Sequence, residues 1–514
     1  MKLSTILVSI TAAAFCLLDI SSAKPVGLAA RAAPSNKVLV GYFPNWLYGR
    51  YTPSKIDFSK YTHVYYAFAV QNTDTTPTWQ DSGVFDDYVQ YGFPKLISLA
   101  HAAGTKVMAS VGGWSGSTQF SPMAASESKR AAWIKWNIDF ITKYNTDGVD
   151  IDWEYPNGVG PGCNAVSNDD VANLQTLIKE LRTALNSNFP NDYKEITMAV
   201  HNTPFGGATP VTDVSGFVPY VDRFHVMTFD VNGAWNSTSG PNAPLHNTPG
   251  WGYPAGLVEG IESWKAAGVP YNKMAAGIPF YGRSQTLLVS DIPTTQYNPA
   301  VASNPPKGDS LDGPWTNPYC SKESSSFSGV WRWTNMRSEG ILSSPTTAAS
   351  PWIRNFDKHT QTPWLYNPST KVFISYDDPS SLQIKTQYAL NTGLAGFFVW
   401  SIEQDNGELL AAIAPILSNN PSPTPITSTL SSSPSSSSSS SVTTIISRTT
   451  SSNAPTSTSS TNCSSNPPWS PSLVYTGGTT VSYNGKIYKA QWWTQNERPT
   501  DNPWGVWKLI GSCT

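Results

Sequence analysis

Asp150, Asp152 and Glu154 stand two residues apart in the segment Asp147-Gly148-Val149-Asp150-Ile151-Asp152-Trp153-Glu154-Tyr155. On a strand successive side chains alternate faces, so the three carboxyls line up on one side while Val149, Ile151 and Trp153 take the other. The large apolar face must pack, which leaves the acids in a partly enclosed row rather than in open water. Like charges crowded in such a row raise at least one carboxyl pKa, and a proton then stays available at neutral pH. General acid chemistry follows, with Glu154, at the C-terminal end of the row, as the donor. A divalent-metal cluster is the rival chemistry, since hard cations favour carboxylate oxygens. Asp147 is read as ordering the end of the strand.

Composition narrows the ligand. The chain has 514 residues, enough for two or three domains. Charged residues make up only 13% against about 25% in ordinary soluble domains, and the net charge is -2, which disfavours a general nucleic-acid or polybasic membrane binder. Aromatic content is 12%, with abundant Gly, Pro, Ser and Thr, which suits neutral, hydroxyl-rich ligands such as carbohydrate.

The N-terminus carries Lys2, an apolar run from Leu3 to Leu18 and small residues ending at Ala23, the pattern of a secretory signal peptide over residues 1–23. That run is shorter than the ~20 residues a membrane span needs. Cys16 leaves with the signal, so Cys163, Cys320, Cys463 and Cys513 remain in an oxidising compartment. Three pairings are open; Cys463 with Cys513 is favoured because the two bracket one short aromatic module, which leaves Cys163 for Cys320. None of the four has zinc-like spacing. Between Pro421 and Thr461, 28 of 41 residues are Ser or Thr, so residues 418–462 cannot bury a core and read as an O-glycosylated tether. Asn236-Ser237-Thr238 and Asn462-Cys463-Ser464 fit the N-glycan acceptor rule.

The elements that position the acid row lie ahead of that tether. Short apolar or β-branched runs recur at Val38 to Phe43, His63 to Val70, Lys106 to Val111, Gly148 to Trp153, Ile196 to Val200, Phe224 to Phe229, Met274 to Phe280 and Leu394 to Trp400. Eight such runs with helix-length spacers predict an α/β fold, a (β/α)8 TIM barrel. One spacer places Leu174, Leu177, Ile178, Leu181 and Leu185 on a single helical face. The long stretch between the seventh and eighth runs exceeds one crossover helix and predicts a small α+β insertion. The expected division is barrel at 37–284 and 374–417, insertion at 285–373, tether at 418–462 and a small all-β module at 463–514.

The segment DGVDIDWE resembles the DxxDxDxE signature of family 18 glycoside hydrolases, the chitinases and their relatives. Ser110-Val111-Gly112-Gly113 is similar to that family's SxGG, Gly277 to Arg283 to its seventh-strand motif, and Ser375-Tyr376-Asp377-Asp378-Pro379 to its lead-in to the last strand. The resemblance runs from about Val38 to Leu417. It implies Glu154 as catalytic acid and a nucleophile supplied by the substrate: the sugar's 2-acetamido carbonyl attacks the anomeric carbon, with retention of configuration. Asp152 would orient the acetamido N–H and Asp150 would share a proton with Asp152. Trp400 matches the floor beneath the reacting sugar. Met227 and Asp230 match the Met-x-Tyr-Asp segment, but Phe229 stands where the family carries a tyrosine that holds the acetamido oxygen. Either another hydroxyl such as that of Tyr281 substitutes, or that contact is lost. Arg283 matches a cleft residue; Gly113 and Trp114 follow the third strand, and Tyr42, Phe43, Trp46 and Trp114 are candidate sugar platforms.

After the tether, eight Trp and Tyr residues crowd barely fifty positions, more than so small a core can enclose. Some must face outward as a stacking surface. Val481 to Trp493 resembles family 5/12 carbohydrate-binding modules, with Asn484-Gly485 as a hairpin turn. Alternation puts Tyr488 and Trp492 on one face and Trp493 on the other, making Trp493 with Trp504 the expected binding face and Trp492 a further candidate.

The expected function is a secreted, extracellular chitinase that cleaves β-1,4 bonds between N-acetylglucosamine units. Its partners would be chitin and N-acetylglucosamine oligomers, with no cofactor, metal, nucleic acid or membrane, and a monomeric chain. A catalytically weak or inactive chitin-binding lectin and an endo-β-N-acetylglucosaminidase of N-glycans are the alternatives.

Overall fold

The computed structural model describes residues 37–205 and 211–418, and, near the C-terminus, 466–471, 473–475, 478–490, 494–495, 498–500 and 507–512. The signal-peptide and tether expectations, and Cys463, Cys513, Trp492, Trp493 and Trp504, lie outside the described residues.

Seven parallel strands form in chain order, β1 (Val38–Pro44), β2 (His63–Ala69), β3 (Lys106–Gly112), β4 (Gly148–Asp152), β5 (Glu195–Val200), β6 (Arg223–Val226) and β7 (Met274–Pro279). The eighth, β15 (Gly396–Trp400), pairs with both β7 and β1 and closes the barrel. The eight runs read from the sequence are these eight strands. Alternation sorts their side chains into two layers. Val40 and Tyr42 of β1, Tyr65 and Ala67 of β2, Met108 of β3 and Phe398 of β15 fill the interior. Leu39, Phe43, Tyr66, Val149, Ile151, Trp153 and Val399 pack outward against the helices.

Helices α1 (Phe93–Ala102), α2 (Phe120–Ala124), α3 (Glu127–Tyr144), α4 (Asp170–Asn188) and α5 (Leu257–Ala266) surround the barrel. In α4 the buried leucine and isoleucine face is the one the spacing predicts, Leu174, Leu177, Ile178, Leu181 and Leu185. Between β7 and β15 the chain builds a second, antiparallel sheet from β8 (Tyr281–Thr286), β9 (Val330–Arg332), β12 (Ile353–Asp357), β13 (Thr362–Asn367) and β14 (Val372–Ser375), in the order β12-β13-β14-β8-β9. A short helix α6 (Trp333–Ser338) and the hairpin β10 (Leu342–Ser344) with β11 (Thr347–Ala348) complete this α+β insertion. The return to the barrel runs through α7 (Pro379–Thr392). Its start is fixed by Pro379 in the first turn and by the Asp378 carboxylate, which accepts the Ser380 and Ser381 amides; Gly393 ends it in a left-handed conformation. α8 (Glu408–Ile413) follows β15.

The C-terminal unit has β16 (Val474–Tyr475) paired with β19 (Thr494–Gln495), and a sheet of β17 (Thr480–Tyr483), β18 (Lys486–Ala490) and β20 (Trp507–Ser512) in the order β17-β18-β20. Asn484 and Gly485 both take positive φ, the two-residue turn that joins twisted strands without splaying them. Tyr475, Val481, Tyr488, Ala490 and Trp507 form its core.

Candidate active site

The SxGG segment and the acid row are built as one piece. Ser110 lies opposite Asp150 and Gly112 opposite Asp152 in the β3–β4 register. The Gly113 amide donates to Asp152 O at 2.8 Å. Gly112 takes φ +120, and a Cβ there would come within 2.0 Å of the same carbonyl, so neither its conformation nor the close approach tolerates a side chain. Two polar residues then pin the backbone of Glu154. Its amide donates to Ser117 Oγ at 3.0 Å, and its carbonyl accepts Asn164 Nδ2 at 2.7 Å.

Each carboxyl in the row meets a different environment. Asp150 is fully buried and accepts three hydroxyls: Tyr42 Oη at 2.9 Å and Ser110 Oγ at 2.7 Å on Oδ2, and Thr197 Oγ1 at 2.6 Å on Oδ1. Burial pushes its pKa up and these three bonds pull it back. Asp152 is 4% exposed, and its Oδ1 is buried without a partner. Burial, followed by the charges of Glu154 and Asp150, drives its pKa well above the carboxylate range. Glu154 is half-buried and raised to about 7, by burial first and by the charge of Asp230, with the Tyr155 hydroxyl opposing. All three carboxyls are raised: Asp150 against three hydroxyl donors, Asp152 with no donor to offset its burial, and Glu154 to about 7.

The walls come from other strand ends. Trp400, at the end of β15, is partly exposed and stacks on Phe68 at 5.5 Å, with Trp46 6.2 Å away. Trp46 and Trp114 are 43% and 42% exposed. Met227 and Phe229 are partly buried in the barrel interior beside Trp400. Asp230 binds Arg283 through two 2.6 Å bonds and accepts the Tyr281 hydroxyl at 2.7 Å. The Arg283 guanidinium also lies 5.0 Å from the ring of Trp235, which is 49% exposed.

Two expected platforms are elsewhere. Tyr42 is 2% exposed and points into the barrel, where it serves Asp150; Phe43, on the opposite face of the same strand, stacks on Tyr66 in the outer layer. Period-two alternation on β1 turns Phe43 away from the interior, while Tyr42 faces it beside Trp400 but is too buried to stack on a sugar. The hydroxyl of Tyr281, the candidate substitute for the missing one, donates to Asp230. Asp147 sits at the start of β4, where Oδ2 accepts the Val107 amide at 2.7 Å and His101 Nε2 lies 2.9 Å away, far from the row's working end. Sequence reasoning missed Ser117, Asn164, Thr197 and Trp235. The first three are common loop or strand residues with no spacing signal; Trp235 could have been found as an aromatic in the long loop after β6. Among the described residues no group of three or more His, Cys, Asp or Glu could hold a metal ion.

Comparison with known proteins agrees with this geometry. Residues 38–405 match the glycosyl hydrolases family 18, and residues 468–508 match carbohydrate-binding module family 5/12. A chitinase-like effector of Moniliophthora roreri is 35% identical over 382 residues, 72% of this chain and 90% of its own length. The crystal structure of a Rhizomucor miehei chitinase superposes with a TM-score of 0.66 at 32% identity, covering 74% of this chain and all of that one. The Ostrinia furnacalis Group IV chitinase, solved in complex with allosamidin, gives 0.61 at 29% identity, covering 74% and 99%. With a closed eight-stranded barrel, the acid row on its fourth strand and two thirds of its length inside the family match, the chain belongs to the family 18 glycoside hydrolases.

Proposed function

We propose that this glycoside hydrolase is a secreted chitinase that cleaves β-1,4 bonds between N-acetylglucosamine units by substrate-assisted, retaining catalysis. The Asp150-Asp152-Glu154 row on one face of β4, with both aspartates buried and Glu154 at its C-terminal end raised to about 7, carries this reading. Glu154, near neutrality, gives its proton to the glycosidic oxygen. The 2-acetamido carbonyl of the sugar attacks the anomeric carbon and closes an oxazolinium ring, and water later opens it with Glu154 as base. Asp152 Oδ1, buried and unpartnered, is free to accept the acetamido N–H, and Asp150 sets where the shared proton rests. Trp400 forms the floor, and Trp46 and Trp114 extend the stacking surface. Solved chitinases among the structural relatives support chitin as the polymer. The C-terminal module, through Trp493, Trp504 and Trp492, anchors the enzyme on the solid and raises its local concentration.

The finer expectations join this reading: a signal peptide over residues 1–23, glycans on the tether and at Asn236, and a monomer that binds neither membrane nor nucleic acid. Among the described residues no helix is long and apolar enough to cross a membrane.

The test is Glu154→Gln. Turnover of colloidal chitin should vanish while chitin binding persists, and the wild-type products should keep the β anomer; normal rates in the variant or inverted products refute the reading. Phe229 favours a second reading, a chitin-binding lectin with weak or no turnover, and a relative is itself named a chitinase-like effector. Release of soluble oligomers by the wild-type chain decides between the two, and a preference for glycoprotein would point to N-glycan cores.

A further inference from the structure

The insertion sends one arm, residues 313–328, back to the loops that carry the catalytic row. The Trp315 amide donates to Ser326 O at 3.2 Å and closes the arm into a turn whose tip holds Asn317, Cys320 and Glu323. Cys320 is disulfide-bonded to Cys163, 157 residues earlier in the chain. Cys163 belongs to the loop after Glu154, next to the Asn164 that holds the Glu154 carbonyl. The arm also grips the neighbouring loop after β3. Glu323 Oε1 accepts the Trp114 indole N–H at 3.1 Å, and Oε2 accepts Asn317 Nδ2 at 2.7 Å. That amide nitrogen also reaches Ser115 Oγ at 3.2 Å, and Asn317 is itself 3% exposed.

Trp114 directly follows the Gly113 whose amide is bonded to Asp152 O, so its backbone adjoins the strand that carries the acid row. At 42% exposure little packing restrains such a side chain, and any freedom it keeps must be lost when a sugar stacks on it. A carboxylate that is fixed by a second donor and tied by a disulfide removes that freedom in advance.

We propose that the arm is a clamp in which Glu323 is a positioning residue that presets the Trp114 indole as a sugar platform, and that the Cys163–Cys320 bond keeps Glu323 in place over it. The proposal rests on the chitinase reading for the identity of the sugar, but the geometry of the clamp does not. The insertion thereby governs how long chains are gripped beside Glu154, a specificity function beyond the wall it adds to the cleft.

The full chain labelled with fluorotryptophan tests this, with the Trp114 fluorine line assigned by its loss in Trp114→Phe. Glu323→Ala should shift or broaden that line without substrate, and Glu323→Gln, whose amide oxygen can accept the same N–H, should restore it. On N-acetylglucosamine hexamer, Glu323→Ala should raise KM roughly fivefold, the scale of one partly exposed bond to a charged group, with kcat maintained. Cys163→Ser with Cys320→Ser should act in the same direction. In a Trp114→Ala background Glu323→Ala should add nothing further. An unchanged fluorine line, or an equal KM effect with and without Trp114, overturns the clamp. A wild-type chain that cleaves no oligomer overturns the chitinase reading instead, and the fluorine line still decides the clamp.

Discussion

Tyr281 donates its hydroxyl proton to Asp230 Oδ1 at 2.7 Å, on a carboxylate that Arg283 also grips through both oxygens. That bond already engages the hydroxyl of Tyr281, the candidate replacement for the one absent at position 229. At position 229, where the family segment carries a tyrosine, the Phe229 ring packs against Phe398 and Tyr281 and offers no donor.

Phe229→Tyr should then raise activity. A hydrogen bond to an oxygen that gains charge along the reaction is worth roughly 1 to 3 kcal/mol, or about a 5- to 150-fold change in kcat. The gain should fall on kcat more than on KM, because the interaction strengthens toward the oxazolinium. Steady-state hydrolysis of soluble oligomers reads it out; an unchanged or lower kcat shows that another group already fills the role.

The pH profile follows from Glu154. As an acid it works protonated, so kcat/KM should fall as pH rises through about 7, the value to which burial and the Asp230 charge raise it. Asp230→Asn removes that negative charge and frees the Arg283 cation, and both changes favour the ionised carboxylate. The alkaline limb should move to lower pH. A limb that stays in place, or moves up, rules out Asp230 as a tuning charge.

Much of the fold was legible because it rests on periodicity. The eight strands and the α4 face follow from alternation and from leucine spacing, and the acid row follows from three carboxyls at every second position of β4. Tyr42 shows where that logic stops short. An aromatic near a strand end reads equally as platform or core until register fixes which face turns inward, and register on β1 depends on pairing with β2 and β15. Ser117, Asn164 and Thr197 are invisible for another reason: each reaches its partner across at least ten residues of chain, so no local pattern records the contact. The Cys163–Cys320 bond emerged from counting cysteines alone, whereas the arm it anchors did not.

Gly112→Ala should abolish activity and lower yield of folded protein. The methyl would sit 2.0 Å from Asp152 O, against backbone that cannot rotate away, at a φ of +120 that disfavours any side chain. Circular dichroism melting together with turnover checks this. A well-folded, active alanine variant would mean that β3 and β4 can separate without cost to the acid row.

At the opposite end of the barrel, Glu195 on β5 is buried among Arg223, Lys106 and His63. Burial alone would raise its pKa, but Arg223 with His63 and Lys106 outweighs it and holds the carboxyl well below its usual range. A depressed folded-state pKa contributes stability that is present above the unfolded glutamate value and is lost as pH falls through the folded one. Glu195→Ala should therefore cost ~3 to 5 kcal/mol at neutral pH, since it strands the buried Arg223 guanidinium. The deficit should shrink on acidification below about pH 4, where the wild-type chain loses the same contribution. Denaturant titrations of both proteins at pH 7 and at low pH would measure this. A deficit independent of pH would assign Glu195 a packing role with no charge component, because only an ionised carboxylate couples the barrel's stability to protons in that window.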